Sequence, residues 1–354
     1  MQGNAEKPPN HMPGSRRPRT PALVSVLVGT LFFLSSCSQA GRGPVVIYVS
    51  TDRPFSEPVL RAFEKKSGIS VRAVYDSEET NSIGLANRLL AEKVYPQADV
   101  FWSDEPLRTL ILKKNGVLAR YRSPGADTIP AGFKDPESCW TGFSARCRVI
   151  LYNSSLVQEV EAPKSIFDLT DPKWKNQVVI SDPRFGTMSF HAAVLFAALG
   201  DERAVQFFKD LKRNEVTVAA SNSEVRRLVE TGEFAIGLTD TDDANLALLS
   251  GNPVVVVYPD EQGLGTPFIP NVVSLIAGGP NPQQGKELID FLLSPEAEAM
   301  LAESAAVQMP LHPSVPLPAN VRSLKNLKLL QIDYGAAADR LDPVIKALQP
   351  ILGL

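Results

Sequence analysis

The chain has 354 residues, of which 44% are hydrophobic and 21% charged, and a formal net charge of −3. It is longer than one comfortable core, so two domains or lobes are expected in a globular protein of ordinary composition. Without residues 1–36 the balance is 32 basic against 38 acidic groups, or −6, which argues against a nucleic-acid partner because that needs a basic face.

The N-terminus reads as a targeting segment. Arg16, Arg17 and Arg19 form a positive region, and Ala22 to Leu34 is an apolar run too short for a permanent span. Leu34-Ser35-Ser36-Cys37 has the form of a lipobox, with small residues before a cysteine that is acylated and becomes the new N-terminus. Residues 1–36 are thus expected to be a lipoprotein signal peptide, Cys37 the lipidation site and 37–44 a lipidated tether of small and polar residues. The alternative is an ordinary signal peptide cut near Ala40. No later apolar run approaches span length. The body is therefore expected outside the cytoplasmic membrane, on the periplasmic side or at the cell surface, anchored to lipid through Cys37.

Val45 to Ser50 is nearly all apolar, as in a parallel strand covered on both faces. After Ser50-Thr51-Asp52-Arg53, Ser56 is expected to cap a helix with Pro58 in its first turn. Val59, Leu60 and Phe63 form the buried stripe of that helix, and Gly68 ends it. Ile69 to Tyr75 alternates as a strand does, so the unit is βαβ and the sheet parallel. A helix from Ser82 to Lys93, a strand from Ala98 to Trp102 and a helix started by Ser103-Asp104-Glu105-Pro106 follow. Asp104 is either a cap or a cleft ligand.

Ser123 to Ser138 is a loop rich in Pro, Gly and Asp. Trp140 to Asn153 reads as a long strand able to cross between lobes. Cys139 and Cys147 lie at its start and middle. An oxidising compartment permits a bridge, but eight extended residues span roughly 26 Å, so a bridge needs a turn near Thr141-Gly142. Strands at Val178–Ile180 and Val216–Ala219 precede helices opened by Thr187 and by Ser221-Asn222-Ser223. A helix start preceded by glycine, as at Gly186-Thr187, offers backbone N–H groups to an anion.

Gly232 to Ala244 is the most informative stretch. It begins as an apolar strand and ends in Thr239-Asp240-Thr241-Asp242-Asp243. Asp is a poor strand residue and a good cap, so the strand is expected to stop at Leu238 or Thr239 and the acids to occupy a turn before the next helix. Ligands of open α/β sheets sit beyond such strand ends. A solvated helix N-terminus is the plainer reading, but the density of acids points to a ligand site. Strands at Val254–Tyr258 and Val272–Ile276 follow, then helices begun by Asn281-Pro282 and Ser294-Pro295. Leu317 to Leu354 reads as a leucine-rich helical tail.

Catalytic signatures are missing from the text. Outside the targeting segment only His191 and His312 remain for a Ser-His-Asp arrangement. The sequence lacks Gly-x-Ser-x-Gly, a phosphate-cradling loop ending in Lys-Ser/Thr, and His-Glu-x-x-His. No catalytic cofactor or enzyme activity is expected. A secreted hydrolase using paired carboxylates stays as a distant alternative.

Several segments resemble the solute-binding proteins of bacterial ABC importers, in the group of periplasmic ferric-ion-binding proteins. They are Val46-Ile47-Tyr48, Ala98 to Trp102, Ser144-Ala145-Arg146-Cys147-Arg148 through Asn153, Asn222-Ser223 with Gly232 to Ala235, and Leu292 to Ala297, over about Val45 to Pro313. The resemblance implies a two-lobe, type II periplasmic-binding-protein fold of the α/β class, a hinge, and delivery of solute to permease subunits by a monomer. Lobe 1 is placed at 45–138 plus about 266–312, and lobe 2 at 139–265 plus about 313–354. It also implies a site. Thr51, Asp52 or Arg53 takes the place of the family's His, Asp104 or Glu105 that of its Glu, and Asp242 and Asp243 that of its Tyr pair. Gly186, Thr187 and Asn222 fall on the anion side. The tyrosinate ligands of ferric ion are absent, which is a large departure.

With Thr239, Asp240 and Thr241 these residues make the candidate ligand set, and Asp104, Asp240, Asp242 and Asp243 the candidate metal donors, because carboxylates are hard oxygen ligands. Asp242 and Asp243 are expected to be exposed in the open cleft. Ferric iron or another hard cation, with a synergistic anion, is the leading cargo. A phosphonate or aminophosphonate, a phosphate ester or a thiamine-like solute is the alternative.

Overall fold

The computed structural model describes residues 43–76, 83–318 and 322–354. The targeting run, the lipobox and Cys37 lie outside them, as does Ser82. The apolar first strand becomes β1 (Val45–Val49), followed by α1 (Arg53–Ser67), β2 (Val71–Tyr75), α2 (Ile83–Ala91), β3 (Val100–Ser103) and α3 (Pro106–Lys114). β2 and β3 pair with β1 on either side, both parallel. Val59, Leu60 and Phe63 of α1 pack under this sheet with Trp102. The short β4 (Leu118–Ala119) leads through a loop to β5 (Thr141–Asn153), buried along all 13 residues.

The second sheet is built the same way, from β6 (Val178–Ser181), α4 (Gly186–Leu199), α5 (Asp201–Arg213), β7 (Thr217–Ala219), α6 (Asn222–Glu230), β8 (Ile236–Asp240), α7 (Thr241–Leu249) and β9 (Val254–Val257). The chain then returns through β10 (Phe268–Ile276), α8 (Pro282–Leu292) and α9 (Pro295–Glu303), and ends in α10 (Tyr334–Leu352). The strand order is β2-β1-β3-β10-β5-β8-β6-β7.

β5 joins the two halves. Its residues Thr141 to Cys147 pair with β10, and Arg148 to Tyr152 pair with β8, so the strand changes sheets between Cys147 and Arg148. Earlier in the strand Ser144, with a positive φ of 36°, is the extra residue of a bulge opposite Pro270 and Asn271. The buried carboxylate of Glu298 accepts from its N–H at 2.6 Å, and from the N–H groups of Leu311 and His312 at 3.1 and 2.6 Å. One carboxylate thereby holds two of the crossing segments in register. α10 lies against helices of both halves: Leu107 of α3 and Phe190 of α4 share a cluster with Ala337 and Leu341, and Arg108 pairs with Asp342 at 3.1 Å.

Several local expectations are corrected. α1 begins three residues before Ser56, whose hydroxyl donates to the carbonyls of Thr51 and Asp52 instead of capping. β8 runs to Asp240 and α7 starts at Thr241, leaving no turn between them. Arg148 faces Asp240 across the β5–β8 ladder and removes the usual penalty for Asp in a strand. Cys139 and Cys147 are both free and buried, because the chain continues as strand from Thr141 where a bridge would need a turn. Among the described residues the tail is helical only from Tyr334, apart from a single turn at Leu324–Asn326, and Pro318 stands at its start.

Candidate functional site

Thr51 and Asp52 follow β1, Asp104 follows β3, Asp182, Phe185 and Gly186 follow β6, Ser221 to Ser223 follow β7, Asp240 ends β8, and Asp242 and Asp243 lie in the first turn of α7. All these strand ends line one cavity of about 60 Å³, room for on the order of four to six water-sized groups. Arg146, beside the point where β5 changes sheets, and Gln308 also line it.

Of the candidate residues, Thr51, Asp52, Asp104, Gly186, Thr187, Asn222, Asp240, Asp242 and Asp243 line this cavity together. Four others do not. Arg53 is exposed and pairs with Glu57 at 2.8 Å. Glu105 caps α3, its carboxylate accepting from the N–H groups of Leu107 and Arg108 at 2.6 and 2.9 Å. The neighbouring Asp104 is thereby left to the cavity. Thr239 is fully buried, its hydroxyl directed at the carbonyl of Asn222. Thr241 points to the far side of β5, where its hydroxyl accepts from the Cys147 N–H at 3.2 Å. Thr187, expected as a helix cap, is the second residue of α4 and turns its side chain to the site; Gly186 ahead of it has a φ of 50°.

The cavity has a floor and a wall. In the floor, Asp240 accepts from Arg148 Nη1 at 2.7 Å, Thr187 Oγ1 at 2.6 Å and Asn222 Nδ2 at 3.1 Å. Arg148 also donates to Asn222 Oδ1 at 3.0 Å and to the Leu238 carbonyl at 3.1 Å. Burial pushes the Asp240 carboxyl up, but Arg148, Arg146 and the Thr187 hydrogen bond outweigh it and hold its pKa below the ordinary value. Gly237 lets this floor form. A Cβ there would lie 2.6 Å from Val225 and 2.9 Å from Val229, so α6 rests directly on β8 and brings Asn222 to Asp240.

The wall is acidic around one guanidinium. Arg146 lies 3.5 Å from Asp104, 3.4 Å from Asp240 and 3.7 Å from Asp242. Burial pushes the Asp104 carboxyl up to about 8, with Arg146 pulling the other way. Asp242 rises to about 7 for the same reason, against Arg146 and reinforced by Asp240 and Asp52. Asp243 is raised well above its ordinary value, by burial first and then by Asp242 and Asp240. Neither Asp242 nor Asp243 is exposed as expected; their side chains are 14% and 13% accessible. Among the described residues no group of three or more His, Cys, Asp or Glu is placed to hold a metal ion. The four expected donors Asp104, Asp240, Asp242 and Asp243 are therefore not placed as a coordination shell: Arg146 lies against the first three, and Arg226 of α6 lies 3.4 Å from Asp243.

In the wall, Asp104 Oδ1, an acceptor, and Arg146 Nη1, a donor, are buried and have no partner; the same holds for the hydroxyl of Ser50, a third lining residue. Neither Arg146 nor Arg148 was assigned a role from the sequence. Their signal was an alternation: Arg146 and Arg148 two apart in an otherwise apolar strand, hence on one face. His191 is buried on α4 outside the cavity, its pKa pushed down to about 3 by burial and by Arg148.

Residues 96–335 match the family described as bacterial extracellular solute-binding protein. Iron uptake protein A1 of Synechocystis is 26% identical over 348 residues, covering 93% of this chain and 94% of that protein. A Salmonella typhimurium protein, provisionally named as a 2-aminoethylphosphonate-binding periplasmic protein, is 30% identical over 294 residues, 80% of this chain and 82% of its own length. Among solved structures, the periplasmic binding protein AfuA of Actinobacillus pleuropneumoniae, with fructose-6-phosphate bound, superposes with a TM-score of 0.79 at 25% identity, over 88% of this chain and 99% of that one.

Proposed function

The chain belongs to the bacterial extracellular solute-binding protein family, and from that premise we propose that it receives a small zwitterion for an ABC importer: a cargo with a cationic amine and a phosphonate-type oxyanion. The carrying observation is the unpartnered pair in the wall. A buried acceptor on Asp104 and a buried donor on Arg146 each cost free energy until something bonds them. A ligand presenting one donor and one acceptor satisfies both. Asp52, Asp104, Asp242 and Asp243 suit an ammonium. The N-terminal ends of α4 and α6, at Gly186 and Asn222, together with Arg146, suit an oxyanion. The likeness to the Salmonella protein supports the same class.

Ferric ion with a bridging anion is the second reading. Asp104, Asp242 and Asp243 are hard oxygen donors in one cavity, and the Synechocystis relative is named for iron uptake. It requires Arg146 to leave the carboxylates first. In both readings the protein works outside the cytoplasm, as a monomer tethered through Cys37, and hands its cargo to permease subunits. The lipobox pattern at Leu34 to Cys37 supports the tether, and no helix among the described residues is long and apolar enough to cross a membrane.

Calorimetry with 2-aminoethylphosphonate, inorganic phosphate, ethylamine and Fe(III)–citrate tests the cargo. One-to-one binding of the aminophosphonate, with either half alone much weaker, is expected. Binding of Fe(III)–citrate without the aminophosphonate overturns the assignment.

A further inference from the structure

We propose that Arg146 is a resident cation that occupies the place of a metal among the cleft carboxylates, so that the site rejects metal ions and selects cargo that brings its own anionic group. The inference rests on the zwitterion reading and names the residue that sets its selectivity.

Three carboxylates, Asp104, Asp240 and Asp242, surround the Arg146 guanidinium within 3.7 Å. Its side chain is only 5% accessible, so water does little to screen it. A hard metal ion needs carboxylate oxygens at roughly 2.0 to 2.6 Å, inside the space that the guanidinium already fills. An entering ion would also face a fixed like charge at contact distance. Arg146 cannot escape this role by losing its proton, since a guanidinium stays charged. Its position is fixed by the backbone: β5 is paired with β10 up to Cys147 and with β8 from Arg148. Meanwhile Nη1 stays unpartnered, so the same group that repels a cation has a donor left for an oxyanion. One residue thus carries both the exclusion and the attraction.

The test is metal binding by wild type, Arg146→Met, Arg146→Lys and Arg146→Met/Asp242→Asn, titrated with Mn(II) and with Tb(III) alone, each first checked for a cooperative melt. Arg146→Gln replaces Arg146→Met if the latter does not fold. Arg146→Met is expected to bind Tb(III) at least about a hundredfold tighter than wild type, the scale of removing one like charge at contact. The gain should vanish on adding Asp242→Asn, and Arg146→Lys should reject metal as wild type does. Wild type binding Tb(III) or Mn(II) within tenfold of Arg146→Met overturns the proposal, as does a gain that survives Asp242→Asn. Titrating 2-aminoethylphosphonate into the same samples separates the two readings. If wild type binds it but Arg146→Met gains no metal, Arg146 loses its assigned role and the cargo reading stands. If Arg146→Met gains metal but wild type does not bind the aminophosphonate, the cargo reading fails and the role of Arg146 stands.

Discussion

Asp240 belongs to the cavity and to the framework beneath it, and substitution to Asn separates the two. Its carboxylate accepts from Arg148 at 2.7 Å, Thr187 at 2.6 Å and Asn222 at 3.1 Å, with Arg146 at 3.4 Å. Arg148 is fully buried, and Asp240 is the acid that pairs with it. Asp240→Asn keeps the shape and removes the charge, leaving a buried guanidinium uncompensated. Breaking a buried pair from one side costs about 3–5 kcal/mol. With an unfolding entropy of about 2.1 cal/mol/K per residue, a folded body of roughly 300 residues shifts by about 1.5 °C per kcal/mol, so the melting midpoint should fall by roughly 4–8 °C. Asp242→Asn is the control: burial already raises that carboxyl to about 7, so at pH 8 its neutral isostere should melt within about 2 °C of wild type or above it. Replacing both partners, Asp240→Leu with Arg148→Met, should recover at least half of the loss, because an apolar pair of similar volume costs little. Calorimetric melting of the four proteins decides the matter. An Asp240→Asn midpoint unchanged from wild type, or a double variant worse than the single, would refute the structural role assigned to this ion pair.

Three further outcomes follow from the same geometry. Ammonium binding requires ionised carboxylates, yet burial raises Asp104 to about 8 and Asp242 to about 7; affinity for 2-aminoethylphosphonate should therefore rise from pH 6.5 to 8.5 with proton release, read by calorimetry in buffers of different ionisation enthalpy, and a flat profile would sink the acidic-wall assignment. In the cargo-free protein the sign is opposite. A carboxyl raised on folding contributes stability that is complete below about pH 4 and is lost as pH rises through about 8, so the midpoint of Asp104→Asn relative to wild type should climb between pH 5 and pH 9; a constant difference contradicts it. Gly237→Ala should cost about 1–3 kcal/mol by overpacking, since its Cβ would lie 2.6 Å from Val225, and should weaken cargo binding by shifting Asn222. Adding Val225→Ala should restore part of both, and additive losses would show that the contact does not set the helix position.

How much of this was legible depends on whether the deciding partner is near in the sequence. The apolar run Val45 to Val49, the cap-and-proline starts at Ser294-Pro295 and Ser103 to Pro106, and the strand-helix alternation around them are local signals, and they yield the parallel sheets whose strand ends meet at the cavity. Whether Asp104 caps α3 or faces the cleft is also local but finer than composition: Glu105 beside it is an acid too, and its carboxylate takes the cap. The error at Asp240 has another origin. Read alone, Asp242 and Asp243 beside it look like free oxygen donors awaiting a cation, and the strand looks finished before them. Arg146, which answers Asp240 and Asp242, and Arg148, which answers Asp240, lie 94 and 92 residues away from Asp240 along the chain, and nothing in either segment by itself names the other; Asp243 is answered by Arg226 of α6.

A general constraint would have joined the two segments. Buried charge must be compensated, so an acid-rich strand end facing an interior calls either for a metal or for arginine. An apolar strand that carries arginines two residues apart has the same need with opposite sign, because both side chains leave one face of a strand whose neighbours are all buried. When a single chain holds one of each, and no tyrosine or histidine accompanies the acids, mutual neutralisation is the cheaper arrangement than two separate ligands. By this argument the acids of the cleft count, within the protein, mostly as partners for its own arginines. On the proposed reading, the cargo improves on a pairing already made, which a molecule bearing both charges does better than a bare cation.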